Sequence, residues 1–282
     1  MSDQPTAPTS HEPGDGSGAI FSRLFRGERF RFEFGMRRGD ARWFLPATPD
    51  APVMAARRQW LSVAEYDCLI WQPEAAPMLR ETRSLVGLEA EVGEGRAGLS
   101  ALAARWEPDF LLLKPDAAGE VRLLGGAVCF PSSWSPAEKL GCTVDEIHSP
   151  VPTVNDELGA RIRTFLTRLP PGGLFERENW GLAAVPELNM HPHRRLPRLT
   201  ADTPLEQVSL RLEEQAFCAL PQSGGVLFLI RLTVHPLMAL LSDTEIRAGF
   251  VRQLATMPEE IAAYKGIAGA RSSLLEQIGR LP

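Results

Sequence analysis

The sequence predicts an α+β fold, built from two β-hairpins and a helical C-terminal part. Segments 110–114 and 121–130 are strongly apolar and are joined by a short polar turn. Segments 208–220 and 225–234 have the same character and are joined by Pro-Gln-Ser-Gly. Strand-like runs separated by such short turns are typical of hairpins. Residues 243–278 show instead the apolar spacing of helices.

Composition and charge exclude several classes of function. The 282 residues are 44% hydrophobic and 23% charged, which fits a globular protein with a sizeable core. The formal net charge is -5 and the basic residues are scattered, so we expect no nucleic-acid or anionic-membrane partner. The four cysteines lie far apart without a CxxC pair, which indicates reduced cytoplasmic thiols rather than a zinc knuckle or a disulfide framework.

The N-terminal segment differs in composition from the rest of the chain. Residues 1–18 are polar and rich in Pro, Gly and Ser, and they lack the basic and apolar regions of a secretory signal. No apolar run approaches the roughly 18 residues of a membrane span. We therefore predict a disordered tail over 1–18, and a single domain with C-terminal helices over 19–282.

The first half of the domain contains one predicted strand and two predicted helices. Residues 30–36 alternate Phe and Met with Arg and Glu, the pattern of a half-buried strand. The segment 63–86 favours a helix that is interrupted near Pro73 and Pro77, and 100–106 favours a short helix.

The second half begins with a predicted helix that starts at Asn155 and ends at Pro170. Its apolar positions share one face: Leu158, Ile162, Phe165, Leu166 and Leu169. Residues 180–185 follow as a predicted strand, and the proline-rich stretch 186–206 is predicted to be a long loop.

A histidine, His148, is the first candidate site residue. It follows an apolar strand-like run and immediately precedes Ser-Pro-Val-Pro at 149–152. Each proline fixes its own φ and biases the preceding residue towards extended geometry, so the backbone here has little freedom. An imidazole held at a fixed angle suits a metal or haem iron, whereas the alternative is a solvent-facing loop histidine.

The segment 208–220 provides a second candidate site. Its alternate residues on one face are apolar, and three alternate residues on the other face are polar: Arg211, Glu213 and Gln215. Such a face is either solvated or lines the polar rim of a ligand cavity.

Other motifs are weaker. His191 and His193 have the spacing of metal ligands on a strand, but no third ligand is evident, which favours a solvated basic loop. His235 is interpreted as structural. The chain contains neither a phosphate-binding glycine fingerprint nor a GxSxG nucleophile elbow.

Four segments together resemble one known family. They are CFPSSWSPAEKLGCTVDEIHSPVP at 129–152, RENW at 177–180, LRLEEQAFCALPQSGGVLFLIR at 210–231 and AYKGI at 263–267. The chain resembles the haem-dependent oxidative N-demethylase α-subunit-like proteins from about residue 30 to 278. The resemblance implies a PAS-like α+β core, a curved antiparallel sheet flanked by helices, that binds haem b.

The resemblance also implies a reaction and its partners. Flavin and iron–sulfur reductase subunits deliver electrons from NADPH to the haem iron, and O2 is used to demethylate a small secondary amine such as dimethylamine with release of formaldehyde. His148 matches the histidine expected to be the axial iron ligand. The residues that match the cofactor-binding motifs are Arg177, Asn179, Trp180, Arg211 and Gln215. Glu213 is our candidate for holding the ammonium substrate, with Glu178 as the competitor.

The chain departs from the family pattern in three places, and the loss of two arginines among them predicts a weaker hold on the haem carboxylates. Glu214 and Ala219 stand where the family has arginines, and Glu107-Pro108-Asp109 replaces Gln-Glu-Asp. Guanidinium–carboxylate pairs are among the stronger polar contacts, so their loss matters. Two other functions therefore remain open: a haem-binding redox or gas sensor without turnover, and a haem-free accessory subunit.

Overall fold

The fold is α+β, as predicted, with one open seven-stranded antiparallel sheet. The computed structural model describes residues 17–45, 48–89 and 93–282. The strands are β1 (Arg37–Arg38), β2 (Leu69–Trp71), β3 (Asp109–Pro115), β4 (Val121–Ala127), β5 (Leu174–Ala183), β6 (Ser209–Leu220) and β7 (Gly225–Pro236). Their order across the sheet is β1-β5-β6-β7-β3-β4-β2.

Helices connect and cover these strands. They are α1 (Ser17–Leu24), α2 (Pro52–Cys68), α3 (Ala76–Leu85), α4 (Gly95–Ala103), α5 (Val144–His148), α6 (Ala160–Thr167), α7 (Leu237–Leu241), α8 (Thr244–Thr256), α9 (Glu259–Tyr264) and α10 (Arg271–Gly279). Within the described residues, none of these helices combines the length and apolar character needed to span a bilayer. Residues 1–16 of the predicted tail lie outside the described residues, and α1 begins at Ser17.

Both predicted hairpins are confirmed. The β6–β7 pair is continuous from Ser209 opposite Pro236 to Leu220 opposite Gly225. The connection reverses at Gly224, whose φ of +69° lies in the left-handed region that glycine adopts without a steric cost. In the second hairpin β3 pairs with β4, which ends at Ala127, three residues before the predicted end.

Two strand predictions and three helix predictions require correction. The short helix predicted at 100–106 is α4, which begins at Gly95 and ends at Ala103. Residues 30–36 alternate in burial but are not in a strand, and only Arg37–Arg38 pairs with β5. The predicted strand at 180–185 begins already at Leu174. The predicted helix at 63–86 starts earlier, at Pro52 in the first turn of α2, and is divided by the strand β2. The helix predicted from Asn155 begins as a π-helical turn over Asn155–Gly159.

Hydrophobic clusters lie on both faces of the sheet. Helices α2 to α4 pack on β3, β7 and the end of β6, while α1 and the C-terminal helices pack around Leu210 and Leu212 of β6. On the opposite face, residues of α5 and α6 pack against side chains that include Phe217. Odd-numbered residues of β6 share the face of Phe217, so the polar side chains at 211, 213 and 215 point to the α5–α6 side.

Candidate functional site

Five polar side chains of the neighbouring strands β5 and β6 lie together on one face. This group, called the polar strip, consists of Arg177, Asn179, Arg211, Glu213 and Gln215. The register places Arg177 opposite Gln215 and Asn179 opposite Glu213, and paired residues of antiparallel strands project to the same side. Arg177 Nε donates to Gln215 Oε1 at 2.8 Å, and Asn179 Nδ2 donates to Glu213 Oε2 at 3.3 Å. The strip is therefore one hydrogen-bonded network.

The carboxylate of Glu213 is the centre of this network. Its Oε2 also accepts a hydrogen bond from Gln215 Nε2 at 3.0 Å, and its Oε1 accepts one from the hydroxyl of Ser132 at 2.7 Å. Ser132 Oγ in turn accepts from Arg211 Nη2 at 3.2 Å. Sequence analysis assigned no role to Ser132, because the connection between 132 and 213 is made only by the folded chain.

Arg211 links the polar strip to the loop that follows β5. Its side chain is buried, and its guanidinium donates to the main-chain carbonyl of Glu187 and to that of Leu188, the latter at 2.9 Å. Burial lowers the pKa of Arg211 to about 10, so the group remains charged at neutral pH. Arg211 therefore fixes the start of the long loop relative to β6.

Lys265 is a site residue that sequence analysis missed. It follows α9, and its Nζ donates to the carbonyl of Trp180 at 2.7 Å and to Oδ1 of Asn179 at 3.4 Å. Burial lowers the pKa of Lys265 to about 8, and the nearby Glu213 carboxylate partly opposes this shift. The segment AYKGI was part of the resemblance, but nothing local in it indicates that its lysine reaches β5.

His148 lies at the end of a short helix rather than in the predicted irregular loop. Thr143 caps α5: its Oγ1 accepts from the backbone N of Glu146 at 3.1 Å, and Glu146 Oε2 accepts from the backbone N of Thr143 at 2.7 Å. This reciprocal capping box fixes the start of the helix. After His148 the chain turns, with Val151 N donating to the carbonyl of His148 at 2.8 Å.

The imidazole of His148 is partly buried, and its Nδ1 is inaccessible to solvent and has no hydrogen-bond partner among the described residues. Burial, together with the positive charge of Arg177, lowers the pKa of His148 to about 4, and the Asp145 carboxylate opposes this shift. The ring is therefore neutral at neutral pH. A neutral imidazole with an unused buried nitrogen is the form that an iron ligand requires, so this residue fits the haem that the resemblance implies.

A shallow, open depression of about 370 Å³ lies on the surface beside α6, lined by Phe34, Ala160, Arg161, Thr164 and Phe165. Phe165 also packs edge-to-face on Phe217, with ring centroids 5.7 Å apart, which places the depression on the same face as the polar strip. His148 is not among its lining residues.

Trp180 and Glu178 lie on the opposite face of β5 from the polar strip. The indole of Trp180 packs in an aromatic cluster with Phe25 and Phe250, at centroid distances of 5.4 and 5.6 Å. The carboxylate of Glu178 is ion-paired with Arg37 at 2.5 Å. Glu178 is thus occupied away from the strip, which leaves Glu213 as the carboxylate within it; the cofactor role of Trp180 stays a prediction.

The three departures from the family pattern lie in different surroundings. Glu214 points away from the polar strip and pairs with Arg42 at 3.0 Å. Ala219 is buried near the end of β6, opposite Val226. In the third segment Asp109, which keeps the aspartate of the family pattern, forms a fully buried ion pair with Arg57 at 2.9 Å.

The Asp109 carboxylate also organises the chain that leads to Ser132. It accepts hydrogen bonds from the backbone N of Cys129 at 2.8 Å and of Phe130 at 2.9 Å. These bonds fix the backbone just before Pro131, so the buried pair supports the hydroxyl that contacts Glu213.

Backbone conformations of positive φ occur next to each candidate segment. Among the described non-glycine residues they are found at Ser133 (64°), Thr153 (61°) and Arg195 (48°). Each such residue costs on the order of 1–3 kcal/mol and persists only where its surroundings enforce it. The three follow, respectively, Ser132, the turn after His148, and the loop containing His191 and His193.

Comparison with known families provides an independent finding. A protein-family model described as haem-dependent oxidative N-demethylase, alpha subunit-like, matches residues 53–275, well over half of the chain. The matched range contains His148, Lys265 and the whole polar strip.

Proposed function

Because the chain belongs to the haem-dependent oxidative N-demethylase, alpha subunit-like family, we propose that it is the haem-binding catalytic subunit of an oxidative N-demethylase that acts on a small secondary amine. The observation that carries this proposal is the buried Nδ1 of the neutral His148 imidazole, which has no hydrogen-bond partner in the described part of the chain and feels the charge of Arg177 of the polar strip. The seven-stranded antiparallel sheet with flanking helices supports a PAS-like assignment of the fold.

The bound group and its partners define the chemistry of the proposal. Haem b, when bound, supplies the oxidation of an N-methyl group by O2, with electrons from NADPH delivered through flavin and iron–sulfur reductase subunits and with release of formaldehyde. The description of the family as alpha subunit-like indicates an enzyme of several subunits.

Two residues of this chain are assigned to hold the haem. His148 would ligate the haem iron, because its imidazole is neutral and α5 and the turn at Val151 fix its backbone. Arg177 is a partner for a haem carboxylate, because its guanidinium is close enough to lower the pKa of His148 and its Nε is already oriented by Gln215.

Glu213 is assigned to hold the ammonium group of the substrate. A carboxylate has about four lone-pair sites, and contacts from Ser132, Asn179 and Gln215 use three of them. These contacts fix the orientation of the carboxylate and leave acceptor capacity on Oε1, which receives only the Ser132 hydroxyl among the described groups. An N–H of a protonated amine is a suitable donor for that position.

The ligand role of His148 is tested by haem reconstitution of the full chain. The wild-type protein is expected to take up one haem and show a Soret band, and His148→Ala is expected to lose or strongly shift that band while its circular dichroism spectrum is retained. His193→Ala, an exposed histidine elsewhere, is the matched control and is expected to keep the band. A His148→Ala spectrum identical to wild type would refute the ligand assignment, and a colourless wild type would favour the haem-free accessory subunit.

The substrate class is tested by titrating the haem-loaded protein with small secondary amines. The wild type is expected to show an amine-dependent shift of its absorption spectrum. In Glu213→Gln the loss of one charge-assisted hydrogen bond, about 1.5–3 kcal/mol, should weaken amine binding by roughly 10- to 100-fold. Glu178→Gln, on the opposite face, is the control and should bind as wild type. A haem-loaded protein whose spectrum no amine changes would favour the sensor over the enzyme.

A further inference from the structure

A second cluster of potential ligands lies where the end of α2 meets the long loop after β5. Sequence analysis found His191 and His193 but no third ligand, and the structure places the carboxylate of Asp67 beside both rings. Asp67 is the penultimate residue of α2 and is far from the histidines in sequence, so no local pattern could indicate it.

The distances suit a metal ion of small radius. One ligand atom from each residue lies within 4.8 Å of the others. His193 Nδ1 is 3.3 Å from Asp67 Oδ1, and His191 Nδ1 is 3.9 Å from Asp67 Oδ2. Two ligands at zinc bond lengths of about 2.0–2.2 Å and a tetrahedral angle are about 3.3–3.6 Å apart, so rotamer movements that shorten the separations by up to about 1.5 Å complete the set.

The burial of His191 argues against an ordinary structural histidine. Its side chain is 2% exposed, yet its Nε2 has no hydrogen-bond partner among the described residues. Buried polar atoms are nearly always partnered, and an exception needs an explanation. His191 Nδ1 accepts a long hydrogen bond of 3.3 Å from the backbone N of His193 and lies 3.9 Å from Asp67 Oδ2.

The loop is held in place by contacts in which the metal-ligand atoms of Asp67, His191 and His193 take no part. The backbone N of His191 donates to Asn189 Oδ1 at 2.8 Å, and Arg194 pairs with Glu187 at 3.0 Å. Met190 N donates to the carbonyl of Pro131 at 2.9 Å. The backbone that carries the two histidines is therefore held by the fold without an ion, which reduces the entropic cost of binding.

We propose that Asp67, His191 and His193 bind a divalent transition-metal ion of the zinc class, with water in the remaining positions. Two imidazoles and one carboxylate favour zinc or a neighbouring first-row ion over Mg²⁺ or Ca²⁺, which take oxygen ligands. Solvent reaches the site because the side chain of His193 is 73% exposed and that of Asp67 is 34% exposed. A bound ion connects α2 to the loop after β5, whose first carbonyls accept hydrogen bonds from Arg211. This metal site is independent of the proposed haem function.

The test is titration of the full chain, with and without haem, with Zn²⁺ by isothermal calorimetry. We expect one Zn²⁺ per chain. Its affinity should fall at least about tenfold in Asp67→Asn and in His193→Ala, because each variant removes one of the three proposed ligands. Asp202→Asn, an exposed aspartate elsewhere, is the matched control and should bind as wild type. Neither test variant changes a fully buried side chain, so both should fold.

Two further readouts keep the test decisive. Co²⁺ bound at the site should give visible absorption bands that Asp67→Asn weakens, and saturating Zn²⁺ should raise the thermal midpoint of the wild type more than that of His193→Ala. Absence of stoichiometric binding, or equal affinity in both variants and wild type, would overturn the proposal. The Soret band does not depend on these results, so a failure here is distinguishable from a failure of haem binding.

Discussion

Replacement of Lys265 by methionine is expected to remove a pH dependence of folding stability that the buried ammonium gives to the wild-type protein. Lys265 Nζ is held between the carbonyl of Trp180 and Oδ1 of Asn179. Burial, opposed in part by Glu213, lowers its pKa from 10.5 to about 8. Methionine keeps a similar length without a titratable group, so the variant isolates the contribution of the charge.

The magnitude follows from the two pKa values. About 1.4 kcal/mol accompanies each pH unit of difference, which gives an upper value of about 3 kcal/mol. Since the side chain of Lys265 is only partly buried, water screens part of this cost, and we expect about 1–3 kcal/mol.

The sign is set by the protons bound in each state. Between about pH 8 and 10.5 the unfolded chain keeps the Lys265 proton while the folded chain has lost it, so wild-type stability rises with pH in this window. Below it both states carry the ammonium and the folded state bears the whole cost. The free energy of unfolding of wild type minus that of Lys265→Met should therefore increase by about 1–3 kcal/mol across the window.

Urea unfolding at a series of pH values measures this difference directly. Other groups that titrate in the window, such as Tyr264, are present in both proteins and cancel. Lys139→Met, which removes a lysine in a different part of the chain, serves as the control. A flat difference between wild type and Lys265→Met would show that the ammonium is solvated, and would refute its burial against β5.

Three other perturbations have expected outcomes. Asp109→Ala leaves buried Arg57 without its carboxylate partner and two backbone N–H groups without an acceptor. We therefore expect the free energy of unfolding, measured in urea, to fall by about 3–5 kcal/mol. A fall of under about 1 kcal/mol would contradict the buried pair. In Arg211→Met the carbonyls of Glu187 and Leu188 lose their hydrogen-bond donor, so the amides at 189–195 should exchange hydrogen faster, as measured by mass spectrometry. Unchanged exchange would show that Arg211 does not hold the loop in place. Glu178→Gln should cost about 1 kcal/mol at low ionic strength and less at high salt, because its ion pairs are partly exposed; a salt-independent cost would point to another cause.

The sequence predicted the sheet best where one face is apolar. In β6 the alternation of apolar and polar residues identified the polar face at Arg211, Glu213 and Gln215, and the structure places all three in one network. The start of β5 was missed because polar residues occupy both of its faces: Arg177 faces the strip, while Glu176 on the other side pairs with arginine. Alternation carries no signal when each face has polar partners.

The environment of His148 was only partly predictable. The prolines after it indicated a constrained backbone, but the Thr-x-x-Glu pattern at 143–146 is a capping-box signature that predicts the start of a helix. Asp67 and Lys265 had no such signal. They meet the candidate sites through the packing of α2 and α9, and contacts between distant segments are invisible to local patterns.

The charge balance of the polar strip bears on the arginines that the family pattern led us to expect. Arg177, Arg211 and Lys265 act on one carboxylate, Glu213, and burial lowers the pKa of all three cations. An excess of buried positive charge is costly unless an anionic group approaches it, and the carboxylates of a haem are such groups. Glu214 projects to the other face of β6, so an arginine at that position would not have added a cation to the strip on this backbone. The number of cations that the strip offers to a haem carboxylate therefore does not depend on the residue at position 214. The absence of an arginine there is then no physical reason to expect weak haem binding.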